Sequence, residues 1–163
     1  MLENVARRRT AGTPRASALA AAGSRDLALA WWTPGAAGAS GPVLVSVTDF
    51  RIRRFGDLLR VYVEGLRMSR AWPSMTGAVG VWLWSSPLRK RVGSVSVWQR
   101  SEDLDRFVRW PRHRELMRRY RDAGALSSST WMEERFDARR VWARAARGLG
   151  AGEGVSSAAG ARS

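Results

Sequence analysis

The chain has 163 residues, 28 Lys or Arg against 14 Asp or Glu, a formal net charge of +14, one histidine and no cysteine. That length carries one domain with a core and is too short for two ordinary ones. The lack of cysteine excludes a disulfide framework, thiolate metal sites and thiol nucleophiles and suits a cytoplasmic protein, while a lone histidine excludes a multi-histidine metal site.

Residues 1–41 are rich in Ala, Gly, Ser, Pro and Arg, and apart from LALAWW at 27–32 they hold nothing that could be buried as a sustained face. They read as a disordered N-terminal extension. Arg7, Arg8 and Arg9 before an Ala-rich run have the outline of a targeting signal, which Pro14 and Arg15 interrupt. No run has the length and hydrophobicity of a membrane span, so no membrane partner is expected. The composition changes after Gly41-Pro42, and residues 42–148 are expected to form the folded domain, with 149–163 a disordered tail.

Residues 43–48 (VLVSVT) predict a strand with its valines on one face. From Arg54 the apolar residues Phe55, Leu58, Leu59, Tyr62, Val63 and Leu66 recur at steps of three and four, which predicts an amphipathic helix ended by Pro73 or the loop around it. In residues 77–84, Val79, Val81 and Leu83 share one face and Gly80, Trp82 and Trp84 the other, so this strand should be covered on both sides. A short loop follows, in which Arg89-Lys90-Arg91 reads as a solvated hairpin tip. Val95, Val97 and Trp98 then mark an antiparallel partner strand. Lys90 is the one lysine; the arginines are scattered rather than striped, so nucleic acid is not expected as a partner.

Ser101 reads as a helix N-cap, with Glu102, Asp103 and Asp105 at the positive end of the helix dipole. Leu104, Phe107 and Val108 point inward, Pro111 breaks the helix, and a second helical piece ends near Gly124. In it His113, Leu116, Met117 and Tyr120 share a face, while Arg112, Arg118, Arg119 and Arg121 face water. Residues 126–136 (LSSSTWMEERF) give a fourth strand, and Asp137 caps a last short helix carrying Val141, Trp142 and Ala145.

The order strand, helix, strand, strand, helix, strand predicts an α+β fold, a ferredoxin-like βαββαβ sheet with both crossover helices on one face. The other face must hide Trp82, Trp84, Trp98 or their alternates, and no further element is evident to cover them. A second subunit is the expected cover, giving a homodimer with facing sheets.

The run GSVSVWQRSEDLDRFVRWPRH at 93–113, continuing through ELMRRY to STWMEERF, resembles the dimeric α+β barrel proteins grouped with antibiotic-biosynthesis monooxygenases. The resemblance spans residues 43–136. It implies a dimeric α+β barrel and a range of roles: oxygenases of aromatic polyketides or quinols without a cofactor, haem-binding enzymes, and members with no known activity. Fold does not choose among them.

Among the side chains, His113 is the sharpest candidate: a lone imidazole on an apolar helical face could act as a base, orient a substrate hydroxyl, or ligate haem iron. The competing reading is a hydrogen-bonded core histidine. Trp82, Trp84, Trp98 and Trp131 could line an aromatic cavity for a flat small molecule or serve as core, and Tyr62 and Tyr120 could offer phenol hydroxyls to it. Glu133 and Glu134 are adjacent on a strand and face opposite ways, against a paired-carboxylate site. There is no nucleotide-binding glycine loop and no nucleophile elbow. The leading expectation is a small monooxygenase-like protein oxidising a flat aromatic, quinol or polyketide-like, without a cofactor and with His113 as catalytic group. The alternatives are a haem protein ligated by His113 and a non-catalytic dimeric binding domain with a basic surface.

Overall fold

The computed structural model describes residues 29–150. Strands β1 (Leu29–Pro34), β2 (Val43–Ile52), β3 (Ala78–Ser86), β4 (Arg91–Trp98) and β5 (Gly124–Glu133) form one antiparallel sheet in the order β1-β3-β4-β2-β5. Helix α1 (Phe55–Ser69) connects β2 to β3, α2 (Ser101–Arg109) and α3 (Pro111–Tyr120) connect β4 to β5, and α4 (Ala138–Gly150) follows β5. Without β1, the order is that of the ferredoxin-like fold expected from the sequence. No helix among the described residues is long and apolar enough to cross a membrane.

Alternation along the strands divides the core. On one face Leu44, Ala78, Val81, Leu83 and Trp98 pack with Trp72, Tyr62, Leu66, Leu104 and Phe107. Next to them Ile52, Val92 and Leu58 form a smaller cluster. The crossover helices lie on this side, as the handedness of such connections requires. The α1 stripe is buried at Leu58, whereas Phe55 and Leu59 in its first turns are exposed.

The opposite face departs from expectation. Val43, Val45, Val47, Trp82, Trp84, Val95 and Val97 are covered within the same chain by Val141, Trp142, Ala145 and Leu149 of α4. Trp82 and Trp84 are at most 1% exposed, so the argument that a second subunit must cover them loses its premise. The helix was evident in the sequence; its docking on the second face was not. Asp137 caps it as expected, accepting a hydrogen bond from the Arg140 amide at 3.0 Å. Trp98 belongs to the other face, and Val79 joins the tryptophan face instead of that of Val81, because a bulge between Ala78 and Gly80 shifts the register.

Residues 29–34 correct the expectation of disorder through residue 41. They form β1, paired with β3, and residues 1–28 and 151–163 of the expected disordered ends lie outside the described residues. The reason is a fit between two residue types: Trp32 lies over Gly80, where any Cβ would collide with its ring. The same indole sits 4.2 Å from Trp82 and stacks on Phe136 at 6.1 Å.

Two local expectations also change. Arg100 occupies the N-cap position of α2 without a side-chain bond and Ser101 is the first helical residue. At the β3–β4 hairpin, Lys90 adopts a left-handed φ of 51°, but Arg91 is no part of a solvated tip. It is buried and doubly bonded to Asp49, Nε to Oδ1 at 3.0 Å and Nη2 to Oδ2 at 2.7 Å, with its guanidinium 5.6 Å from the Trp84 ring.

Candidate functional site

A cleft of about 270 Å³ opens where the segment after α1 meets the end of β4 and the start of α2. Its position follows from the chain's punctuation. Pro73 sits in a 3-10 turn over Trp72–Ser74 that ends the helical run, Gly77 takes a φ of +71°, and the strand after it brings Trp98 alongside. At Gly77 a Cβ would strike the Asp103 carboxylate, so only glycine lets the loop close over that side chain.

The walls are aromatic and soft: Trp98, Phe107, Trp110 and Met75, with Ala71, Ser74 and Thr76 completing the rim. Phe107 lies 5.4 Å from Trp98 and 6.4 Å from Trp110, and Trp72 meets Phe107 edge-on at 4.9 Å from behind. Asp103 and Arg106 provide the charge. Asp103 is buried, and its Oδ1 receives Arg106 Nη1 at 3.3 Å while the arginine stays largely exposed. Such a cavity suits a flat ring: apolar faces for stacking, and one buried carboxylate that can accept a hydrogen bond from a hydroxyl or an N–H.

His113 stands behind the cleft. Its ring is 4.5 Å from that of Phe107, a wall of the cleft, and His113 itself is not among the lining residues. Nδ1 is 3.2 Å from the Val108 carbonyl, an oxygen that can only accept, so Nδ1 carries the proton and Nε2 keeps its lone pair in the neutral ring. Burial pushes the His113 pKa below its ordinary value, partly offset by that backbone bond, so the imidazole is neutral at pH 7. For haem, these residues supply one element that fits, an imidazole whose second nitrogen is fixed by a carbonyl as in metal-ligating histidines.

The other residues singled out in the sequence do not converge. Of the four tryptophans only Trp98 lines the cleft; Trp82, Trp84 and Trp131 lie across the sheet, on the α4 side. Trp131 has a structural task there: its Nε1 donates to Glu133 Oε1 at 2.9 Å, and Arg144 of α4 covers its ring at 4.8 Å while bonding the same carboxylate at 3.2 Å. Glu134, beyond the strand, is exposed. Tyr62 is half-buried among α1 core residues, where burial raises its pKa, and Tyr120 is half-buried at the end of α3; neither lines the cleft. Asp103, Phe107 and Trp110 were not read as site residues. The signal available was the pairing of an acidic first turn with aromatics one and two turns on, which places a carboxylate and rings on neighbouring helical faces.

The antiparallel α+β sheet with its helices matches the fold of ferredoxin-fold proteins related to antibiotic-biosynthesis monooxygenases, and this chain has that fold. An uncharacterized protein of that description from Listeria monocytogenes superposes with a TM-score of 0.50 at 13% identity, covering 65% of this chain and 63% of its own. A candidate monooxygenase from Lactobacillus acidophilus gives 0.51 at 12% identity, covering 66% and 54%. The chain thus matches less than two thirds of the length of either, and the likeness is one of fold. Neither a protein-family model nor a curated protein matches the sequence.

Proposed function

We propose that the chain is a small monooxygenase-like protein that binds a flat aromatic molecule, of quinol or polyketide type, in the Trp98–Phe107–Trp110 cleft and supports its oxidation by dioxygen without a cofactor. The observation that carries this reading is the cleft itself, three aromatic walls converging on one buried carboxylate. Asp103 accepts the hydrogen bond, and then the proton, of an acidic substrate group; the substrate anion is the electron donor to dioxygen. For an anthrone-type substrate the balance is a ring CH2 and O2 giving C=O and water. Apolar walls exclude bulk water from the anion and hold the ring still. His113 does not itself line the cleft and reaches it through Phe107, so it acts as a positioning residue for that ring rather than as the base.

Oxygen uptake on anthrone and naphthoquinol, with ligand binding followed by quenching of tryptophan fluorescence, tests this. The expected result is saturable uptake that Asp103→Asn lowers by about 10²-fold, in the range for loss of a positioned proton acceptor, with binding retained. Binding without uptake in the wild type would leave the non-catalytic binding domain, and neither binding nor uptake would remove the small aromatic ligand altogether.

A second reading rests on the His113 tautomer, which leaves Nε2 as a donor for haem iron. In that case the haem supplies the oxygen chemistry and His113 holds it. A hemin titration followed by visible absorption, with His113→Ala in parallel, decides it: a saturable band lost in the variant supports ligation, and a band unchanged by the substitution refutes it.

A further inference from the structure

Three junctions of the chain meet at the end of the sheet opposite the cleft. Ala78 and Trp98 are paired at the cleft end of β3 and β4, and Ser86 and Arg91 at the other, where the hairpin turns. There the Lys90 carbonyl accepts a hydrogen bond from the Ile52 amide at 2.8 Å, Lys90 Nζ donates to the Arg53 carbonyl at 3.4 Å, and the Arg53 amide donates to the Ala123 carbonyl at 2.9 Å. The hairpin tip, the β2–α1 junction and the α3–β5 junction are thereby tied together. Segments 51–55, 87–90 and 121–124 carry six Arg or Lys, all exposed, against one acidic residue, Asp122. Among these cations two apolar side chains are left to solvent: Leu88 is 100% exposed and Phe55 58%. Leu88 is not on a loose loop. It is the middle residue of a 3-10 turn closed by the Lys90 amide on the Pro87 carbonyl at 3.0 Å, and the left-handed Lys90 sends the chain back into β4.

We propose that this end of the molecule docks on an anionic lipid surface, with Leu88 and Phe55 entering the headgroup boundary and the surrounding Arg and Lys side chains meeting lipid phosphates. The chemistry picks the partner. Cations alone fit any polyanion, but a nucleic acid would use them and leave Leu88 in water, since an aliphatic side chain neither stacks on a base nor binds a phosphate. A bilayer interface takes both: its negative surface potential attracts the cations, and the acyl boundary takes up the apolar tips. The expectation of no membrane partner rested on the lack of a spanning run, and no described helix is long and apolar enough to span; a surface contact needs neither. The cleft opens at the other end of the sheet, so docking here leaves it accessible, and the proposal stands apart from the catalytic reading.

The test is co-sedimentation of the full chain with phosphatidylcholine vesicles, with and without phosphatidylglycerol. The chain should pellet with the anionic vesicles and stay in solution with the neutral ones. Leu88→Ser, at a fully exposed position and without change of charge, should weaken binding about ten-fold or more, the factor for burying one leucine side chain, with an unchanged circular dichroism spectrum. Arg54→Ser with Lys90→Asn should weaken it as well, whereas Arg139→Ser with Arg147→Ser, which takes the same charge from exposed positions of α4, should not. No binding to the anionic vesicles overturns the proposal. So does binding that Leu88→Ser leaves unchanged, which is attraction of net charge alone, and so do equal losses in the two charge-removing pairs. An oligonucleotide duplex bound equally well by wild type and Leu88→Ser, in a chain whose vesicle binding also ignores Leu88, assigns this end to nucleic acid instead.

Discussion

Trp142→Ala tests whether α4 is part of the core or a surface appendage. Trp142 is 2% exposed and its ring lies 5.8 Å from Trp82, within a cluster that includes Val141, Ala145 and Leu149. Truncating a buried tryptophan costs about 3–5 kcal/mol from lost transfer free energy and the cavity left behind. A domain of this kind is stable by roughly 5–15 kcal/mol, so the variant should remain folded with much of its margin gone. At about 2–4 °C per kcal/mol for a chain near this size, the melting temperature should fall by ~10–15 °C. Urea unfolding followed by far-ultraviolet circular dichroism measures the loss, with the slope unchanged if the transition stays two-state. A surface position would show a change within about 0.5 kcal/mol. That outcome would mean that α4 does not seal the tryptophan face and that the cover comes from elsewhere, a second copy included.

Three further expectations concern other parts of the molecule. Asp49→Ala strands the buried Arg91 guanidinium and should cost about 3–5 kcal/mol in urea, whereas Asp49→Leu combined with Arg91→Met should recover most of it; equal losses in the two would refute the ion-pair account. Gly80→Ala pushes a methyl into Trp32, and a cost of about 1–3 kcal/mol should appear together with faster amide hydrogen exchange in residues 29–34; unchanged protection there would show that β1 is held some other way. The His113 pKa is depressed in the folded chain, so between the unfolded value, ~6.5, and the lower folded one the unfolded state binds the proton first. Stability from this group is therefore present above about pH 6.5 and is lost as pH falls through the folded pKa. Urea midpoints measured from pH 7 to 5 should fall less steeply in His113→Gln, and parallel curves would refute the burial argument.

The four strands of the ferredoxin unit and its crossover helices were legible because each carries its own period: alternate valines in β2, steps of three and four in α1, and the Pro111 break between α2 and α3. What failed were questions no local pattern answers. Trp82 and Trp98 look alike in the sequence, yet they fall on opposite faces because β3 and β4 present their tryptophans in different pleat phase. β1 was hidden by its Ala- and Gly-rich surroundings, and only the hole at Gly80 explains its docking. The candidate site shows the same limit. Trp98 and the neighbourhood of His113 were anticipated, but Asp103 read as a helix-dipole charge, since its burial depends on Gly77, twenty-six positions away in the sequence and adjacent in space.

The α4 cover also determines when the molecule can mature. Trp32 and Phe136 stack across the face that α4 seals, so this layer draws on segments from near the two ends of the described chain. During synthesis all five strands emerge before residues 138–150 do, and until then the sheet carries Trp82 and Trp84 on an open surface. A nascent chain that has emerged only as far as Phe136 therefore presents a paired but sticky half-product, of the kind chaperones engage and aggregates recruit. Among the described elements the last to leave the exit tunnel is α4, the one that covers those tryptophans.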